Sequence, residues 1–96
     1  MKYSEVINPA TGEKVAEYER ITASQAKDKI SQSQKAYLTW KQKSFEERSA
    51  LMHKLADFFE KNKEDYAQLA TREMGKTIGQ SRKELDKCAL ICRHYA

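Results

Sequence analysis

Glycine is scarce in this chain, and where it stands excludes more than how little there is. The three glycines are Gly12, Gly75 and Gly79. None follows a strand and opens a helix at the spacing a dinucleotide-binding turn needs. Gly75-Lys76-Thr77 carries the closing letters of a phosphate loop, but that motif requires a glycine five residues earlier, where this chain has Ala70. A helix stop followed by a helix start accounts for the same three residues. Proline occurs once, as Pro9, and no Pro/Gly/Ser-rich linker, internal repeat or low-complexity tract marks a domain boundary. No apolar run approaches the ~18 residues of a membrane span, and Met1 to Glu5 has no apolar secretory segment. A cytoplasmic protein that engages no membrane is the expectation.

Cysteine and histidine are equally sparse, at two each. Cys88 and Cys92 stand one helical turn apart with His94 close in sequence. Zinc would need more ligands converging, and His94 projects roughly opposite the two sulfurs. Helical spacing and a reducing compartment both disfavour a disulfide, so the two thiols read as small buried hydrophobes. His53 falls on a polar helical arc beside Lys54 and Asp57, and no motif sets a nucleophile near it. The residues thus give no catalytic, cofactor-binding or metal-binding site, and the chain alone is expected to hold no cofactor.

What is present is the composition of one globular unit: 96 residues, 40% hydrophobic, 33% charged, net charge +4. The cations are interleaved with acids, as in Lys54/Asp57/Glu60/Lys61 and Lys83/Glu84/Asp86/Lys87. That pattern is a solvated mixed-charge surface rather than a stripe that tracks phosphates, and no nucleic-acid partner is expected.

Val6 to Tyr18 reads as a strand, a tight connection holding Pro9 and Gly12, and a returning strand, a hairpin of about residues 3–18. A lone two-stranded hairpin is marginal in water, so it must lie against something else. Helices follow near 23–41, 45–61, 63–74 and 78–95. Thr22/Gln25, Ser44/Glu47 and Thr77/Gln80 fit the capping box, and Asn62/Asp65 is a weaker version. Gly75 stands where a left-handed residue closes the third helix. Apolar stripes run through Ala26, Ile30, Ser33, Tyr37 and Trp40 in the first helix. In the second they run through Phe45, Leu51, Met52, Leu55, Ala56, Phe58 and Phe59. The third carries Tyr66, Leu69, Ala70 and Met74, and the fourth Ile78, Leu85, Cys88, Ala89 and Cys92. Leu90 and Ile91 lie off the last line, as on a helix covered on a second side. The fold class is mainly α with an N-terminal β-hairpin, and the second helix is expected at the centre.

Two charges interrupt the stripes. Arg48 projects into the apolar arc of the second helix and Glu73 into that of the third, in its last turn, where the helix dipole disfavours an anion. Two readings stand side by side: Arg48 snorkels to the rim of its arc, or, since buried charges usually come in pairs, the two meet across helices that fold back on each other.

The ordered set of N-P-A-T-G-E at 8–13, Ala36 to Trp40, Glu47-Arg48 with Leu51, Leu55-Ala56-Asp57, and Glu73-Met74-Gly75-Lys76 resembles the N-terminal part of the NAD(P)-dependent aldehyde dehydrogenases. Cys88-Ala89 and Arg93-His94-Tyr95-Ala96 are similar to that family's next helix, and the pattern looks closest to its succinate-semialdehyde-like branch. The resemblance implies an oxidoreductase of roughly five hundred residues, cytoplasmic and homo-oligomeric when complete. In it, these residues would form part of a larger α/β, Rossmann-like cofactor-binding domain and lie on a parallel sheet. It also implies aldehyde oxidation to a carboxylic acid: a cysteine thiolate attacks the carbonyl, NAD or NADP takes the hydride, and a glutamate activates the water that cleaves the thioester. The family's P-W-N-F-P segment, phosphate turn, glutamate and G-Q-x-C cysteine are not in this sequence, and Cys88 and Cys92 do not match the nucleophile's motif. Residues 1–96 are therefore expected to be an N-terminal structural segment, inactive alone, whose partner is the remainder of such a chain. The alternative is a stand-alone helical interaction module.

Overall fold

Asn8 to Glu13 turn the chain back on itself by local hydrogen bonding. The Asn8 amide donates to the Glu13 carbonyl, the Gly12 amide donates to the Asn8 carbonyl, both at 2.8 Å, and the Ala10 amide donates to Asn8 Oδ1 at 2.9 Å. Gly12 supplies the positive φ, +77°, that this return needs. In the computed structural model, which describes residues 2–96, the flanking strands are β1 (Tyr3–Ile7) and β2 (Lys14–Glu19). They pair antiparallel from Tyr3 opposite Glu19 to Ile7 opposite Lys14, with an irregularity in register between Val6 and Ile7. Four helices follow: α1 (Ala23–Trp40), α2 (Phe45–Lys61), α3 (Lys63–Met74) and α4 (Ile78–Tyr95). The architecture is thus mainly helical with an N-terminal hairpin.

Capping explains where the helices begin. Thr22 with Gln25 and Ser44 with Glu47 form complete reciprocal boxes at the starts of α1 and α2. The third expected box is only half made: Thr77 accepts from the Gln80 amide at 3.2 Å without a return bond. Asn62 departs from expectation further, for its side chain makes no N-cap bond to α3. Its Nδ2 donates backwards to the Phe58 carbonyl at 2.9 Å, closing α2. With φ −104° and ψ 14° it is a one-residue break between two helices that continue end to end. Gly75, at φ +74°, closes α3 in the left-handed conformation.

The centre of the helical unit is α4, not α2. After the short connection Gly75–Thr77 the chain folds back, and α4 lies antiparallel along α3 and then along α2. Its buried residues, Ser81, Leu85, Ala89 and Cys92, outnumber those of the other helices together, which bury Ala56 on α2 and Ala67 on α3. Ala56, Ala89 and Cys92 form the core contact between α2 and α4, with Met52 and Phe59 packed beside them. The reversal has a plain cause. A helix wedged along a two-helix rod meets both of its parts, whereas each part of the rod meets only one neighbour.

That arrangement splits the apolar arc of α2. Met52, Ala56 and Phe59 form the stripe facing α4, while Leu51, Leu55 and Phe58, one position over, stay exposed. The α1 stripe is uncovered too: nothing in α1 is buried and Ile30 is 71% exposed. Leu90 and Ile91, expected to be covered, are exposed, Leu90 by 67%. The molecule measures 48 × 37 × 15 Å, about one to one and a half helix diameters thick. The hairpin meets the helices at its tip, where Pro9 lies so close to Gly75 that a Cβ added there would stand 2.8 Å from the proline Cγ.

Candidate functional site

The side chains singled out from sequence do not converge. His53 is exposed on α2. On α4, Cys92 is buried in the core, Cys88 is half-buried, and both are free thiols. His94 packs edge-on against the Tyr95 ring, centroids 4.9 Å apart. Among the described residues no three His, Cys, Asp or Glu side chains gather where they could hold a metal ion. No helix of the described chain is long and apolar enough to cross a membrane.

Gly75-Lys76-Thr77 follows a helix rather than a strand. Lys76 is ion-paired with Glu84, and the Thr77 hydroxyl accepts from the Gln80 amide. These residues do not fit a dinucleotide's pyrophosphate, which needs free backbone amides in a glycine-rich turn at the end of a strand.

Arg48 and Glu73 do not pair. They stand near opposite ends of the α2–α3 rod, on the order of 35 Å apart along it at 1.5 Å per residue. The helix that folds back is α4, not α3, so nothing brings them together. Arg48 instead stacks its guanidinium over the Phe45 ring, 4.6 Å from the centroid. Its Nε is buried with no hydrogen-bond partner among the described residues. Glu73 is half-buried and enters no ion pair there.

What the structure assembles is a frame of charges around α4. Arg82 grips Glu64 of α3 with two hydrogen bonds of 2.9 and 2.7 Å. Lys63 of α3 meets Asp86 at 2.7 Å. Arg93 reaches both Asp57 and Glu60 of α2, at 2.8 and 2.9 Å. Hydrogen bonding from Asp57 and then Glu60 raises the Arg93 pKa further above its already high value. Several of the cations read as a solvated surface are thus spent on partners across helix seams.

The Arg82 bond, helped by Gln68, holds the Glu64 carboxyl down to about 2. A folded-state pKa below the unfolded value means that the carboxylate stabilises the fold above the ordinary range near 4.5. That contribution is lost as pH falls toward 2. An acid titration followed by far-UV circular dichroism is therefore expected to show loss of helical signal in this window. Arg82→Gln should lower the signal's midpoint stability at neutral pH and flatten the acid limb. The size is modest because both groups are exposed. An Arg82→Gln acid profile superimposable on the wild type would remove Glu64 from the account.

Sequence reasoning passed over Ser81, which is fully buried. Its hydroxyl lies 2.9 Å from that of Thr71 across the α3–α4 seam. Ser81 falls four residues before Leu85, on the same helical line, and was legible by position though not by hydropathy.

The match to known proteins runs the whole length of the chain. The chain belongs to the aldehyde dehydrogenase family, whose model matches residues 1–96. It is 37% identical over 90 residues to a Synechocystis protein named probable succinate-semialdehyde dehydrogenase, NADP(+), covering 94% of this chain and 20% of that protein. A Schizosaccharomyces pombe succinate-semialdehyde dehydrogenase, NADP(+), is 33% identical over 95 residues, 99% of this chain and 19% of that one. A Paenarthrobacter nicotinovorans aldehyde dehydrogenase is 34% identical, again covering 20% of its length. The chain spans about a fifth of the length of these relatives.

Proposed function

We propose that residues 1–96 are the N-terminal scaffolding segment of an NAD(P)-dependent aldehyde dehydrogenase, cytoplasmic and homo-oligomeric when whole, acting on a small semialdehyde such as succinate semialdehyde. The observation that carries this reading is the family match across residues 1–96 to proteins about five times longer. In the whole protein the reaction is oxidation of the aldehyde to the acid through a cysteine thioester, with NAD or NADP as hydride acceptor. The nucleophile, oxyanion donor, deacylating base and dinucleotide turn then come from the remainder of the protein. The segment alone is inactive and binds no dinucleotide. Its two thiols lie on the packed stripe of α4, while Gly12 and Gly75 serve a hairpin turn and a helix stop and Gly79 lies in the first turn of α4.

The uncovered stripes of α1, α2 and α4 fit a piece whose apolar faces rest on neighbouring structure of the same protein. The same stripes would serve a stand-alone interaction module, and the gene separates the two. A reading frame continuing past Ala96 into P-W-N-F-P and G-Q-x-C supports the dehydrogenase, and a stop there favours the module. The biochemical test is calorimetric titration of the 96-residue chain with NAD and NADP, and assay with a panel of aldehydes. No binding and no turnover are expected. Saturable micromolar binding, or turnover abolished by Cys88→Ser or Cys92→Ser, would overturn the scaffolding role.

A further inference from the structure

The one buried side-chain polar atom with no hydrogen-bond partner among the described residues is Nε of Arg48. A donor on a charged group is the most costly kind to leave buried and unpaired, because desolvation is not repaid by any acceptor. Arg48 lines a cavity of about 330 Å³ between the start of α2 and the end of α4, walled by Trp40, Phe45, Ser49, Met52, Tyr95 and Ala96. Its guanidinium carbon lies over the Phe45 ring, 4.6 Å from the centroid. It is thus a planar fork lodged beside Phe45 at the edge of a largely apolar notch, the kind of group that takes a carboxylate through two parallel hydrogen bonds. The apolar walls suit the methylene stem behind such a carboxylate.

Ala96 supplies the identity of the occupant. It is part of the cavity wall, so polypeptide continuing from it starts beside Arg48. The relatives are about five times the length matched here, and the segment is read above as their N-terminal part. We propose that the Arg48 notch is a carboxylate-binding site filled by an acidic side chain from the first turns of chain after Ala96, locking the start of α2 to whatever follows α4. This rests on the reading that the segment belongs to a longer dehydrogenase.

The test uses the full-length protein. An Asp or Glu must occur within about eight residues after Ala96, two helical turns. Its replacement by the carboxamide and Arg48→Met should each lower the thermal midpoint, by roughly 2–4 °C or more, and the double variant should fall no further than the worse single one. Arg48→Lys, which keeps the charge and loses the fork, should retain part of the coupling, and it completes a second cycle if Arg48→Met fails to fold. Additive losses in either cycle, or no acidic residue in that stretch, overturn the proposal while leaving the dehydrogenase reading intact. A reading frame that stops at Ala96 overturns both. Succinate titrated calorimetrically into the full-length protein checks the other source of a carboxylate. Saturable binding that is lost in Arg48→Met, without coupling to the downstream acid, would assign the notch to a free ligand and overturn the proposal.

Discussion

Leu85→Ala in the 96-residue chain is expected to remove most of the cooperative unfolding transition. Leu85 is the bulkiest of the five buried core residues, the others being Ala56, Ala67, Ala89 and Cys92. It sits on α4, at the level where the helix leaves α3 and begins to run along α2. Truncating a buried leucine costs about 2–5 kcal/mol, from lost transfer energy and from the cavity left where neighbours cannot collapse. Small domains hold only about 5–15 kcal/mol in all, and a core made largely of alanine belongs at the low end of that range. With a urea slope of about 1–3 kcal/mol per molar, the midpoint should move down by about a molar or more. Alternatively, the native baseline should vanish. A urea curve read by far-UV circular dichroism decides it. A midpoint unmoved by the substitution would mean that α4 is not the central helix.

Gly75→Ala should be the next most damaging change, by a different route. At φ +74° an alanine pays a backbone penalty of about 1–2 kcal/mol for the left-handed conformation. Its Cβ would also stand 2.8 Å from Pro9 Cγ, closer than carbon atoms approach, so either the α3–α4 connection or the hairpin tip must shift. The two contributions separate experimentally. Gly75→Asn, which tolerates left-handed φ better, should keep much of the steric loss and shed much of the backbone loss. Pro9→Ala combined with Gly75→Ala should relieve the steric part alone. Equal unfolding midpoints for Gly75→Ala with and without Pro9 would show that the hairpin does not bear on the helical unit.

The helix ends were readable because capping is a four-residue matter. Ser44 and Glu47 need nothing beyond their own amides to form both bonds of their box. Gly75 likewise declares its role through φ alone. Which face of each helix would be covered is not local, and there the reading failed in instructive places. Leu51, Leu55 and Phe58 are as apolar as Met52, Ala56 and Phe59, and no periodicity distinguishes the stripe that meets α4 from the one beside it. Ser81 and Ala67 are buried because two backbones approach closely, and close approach favours small residues that carry little hydropathic signal. The Arg48–Glu73 pairing failed because it assumed the wrong helix folds back. Asn62 was expected to open α3, and its amide group turned instead to the Phe58 carbonyl it had just passed. As for the site, sequence offered Arg48 as an anomaly but could not show the cavity beside it, which Tyr95 and Ala96, nearly fifty positions further on, help to wall.

Because α4 completes the helical unit, timing during synthesis follows from the fold. The contact between Thr71 and Ser81 closes over ten residues, and that between Arg93 and Asp57 over thirty-six, so neither waits for distant sequence. Were the segment to open a chain as long as the relatives, as proposed above, the ribosome at about 5–20 residues per second would need tens of seconds to finish it after Ala96. In that arrangement the α2–α3–α4 unit would stand with Leu51, Leu55, Phe58, Leu90 and Ile91, exposed in this structure, facing water for that interval. A folded surface of that kind is a platform on which further structure can dock. It is also a surface to which chaperones that bind apolar patches would be drawn first.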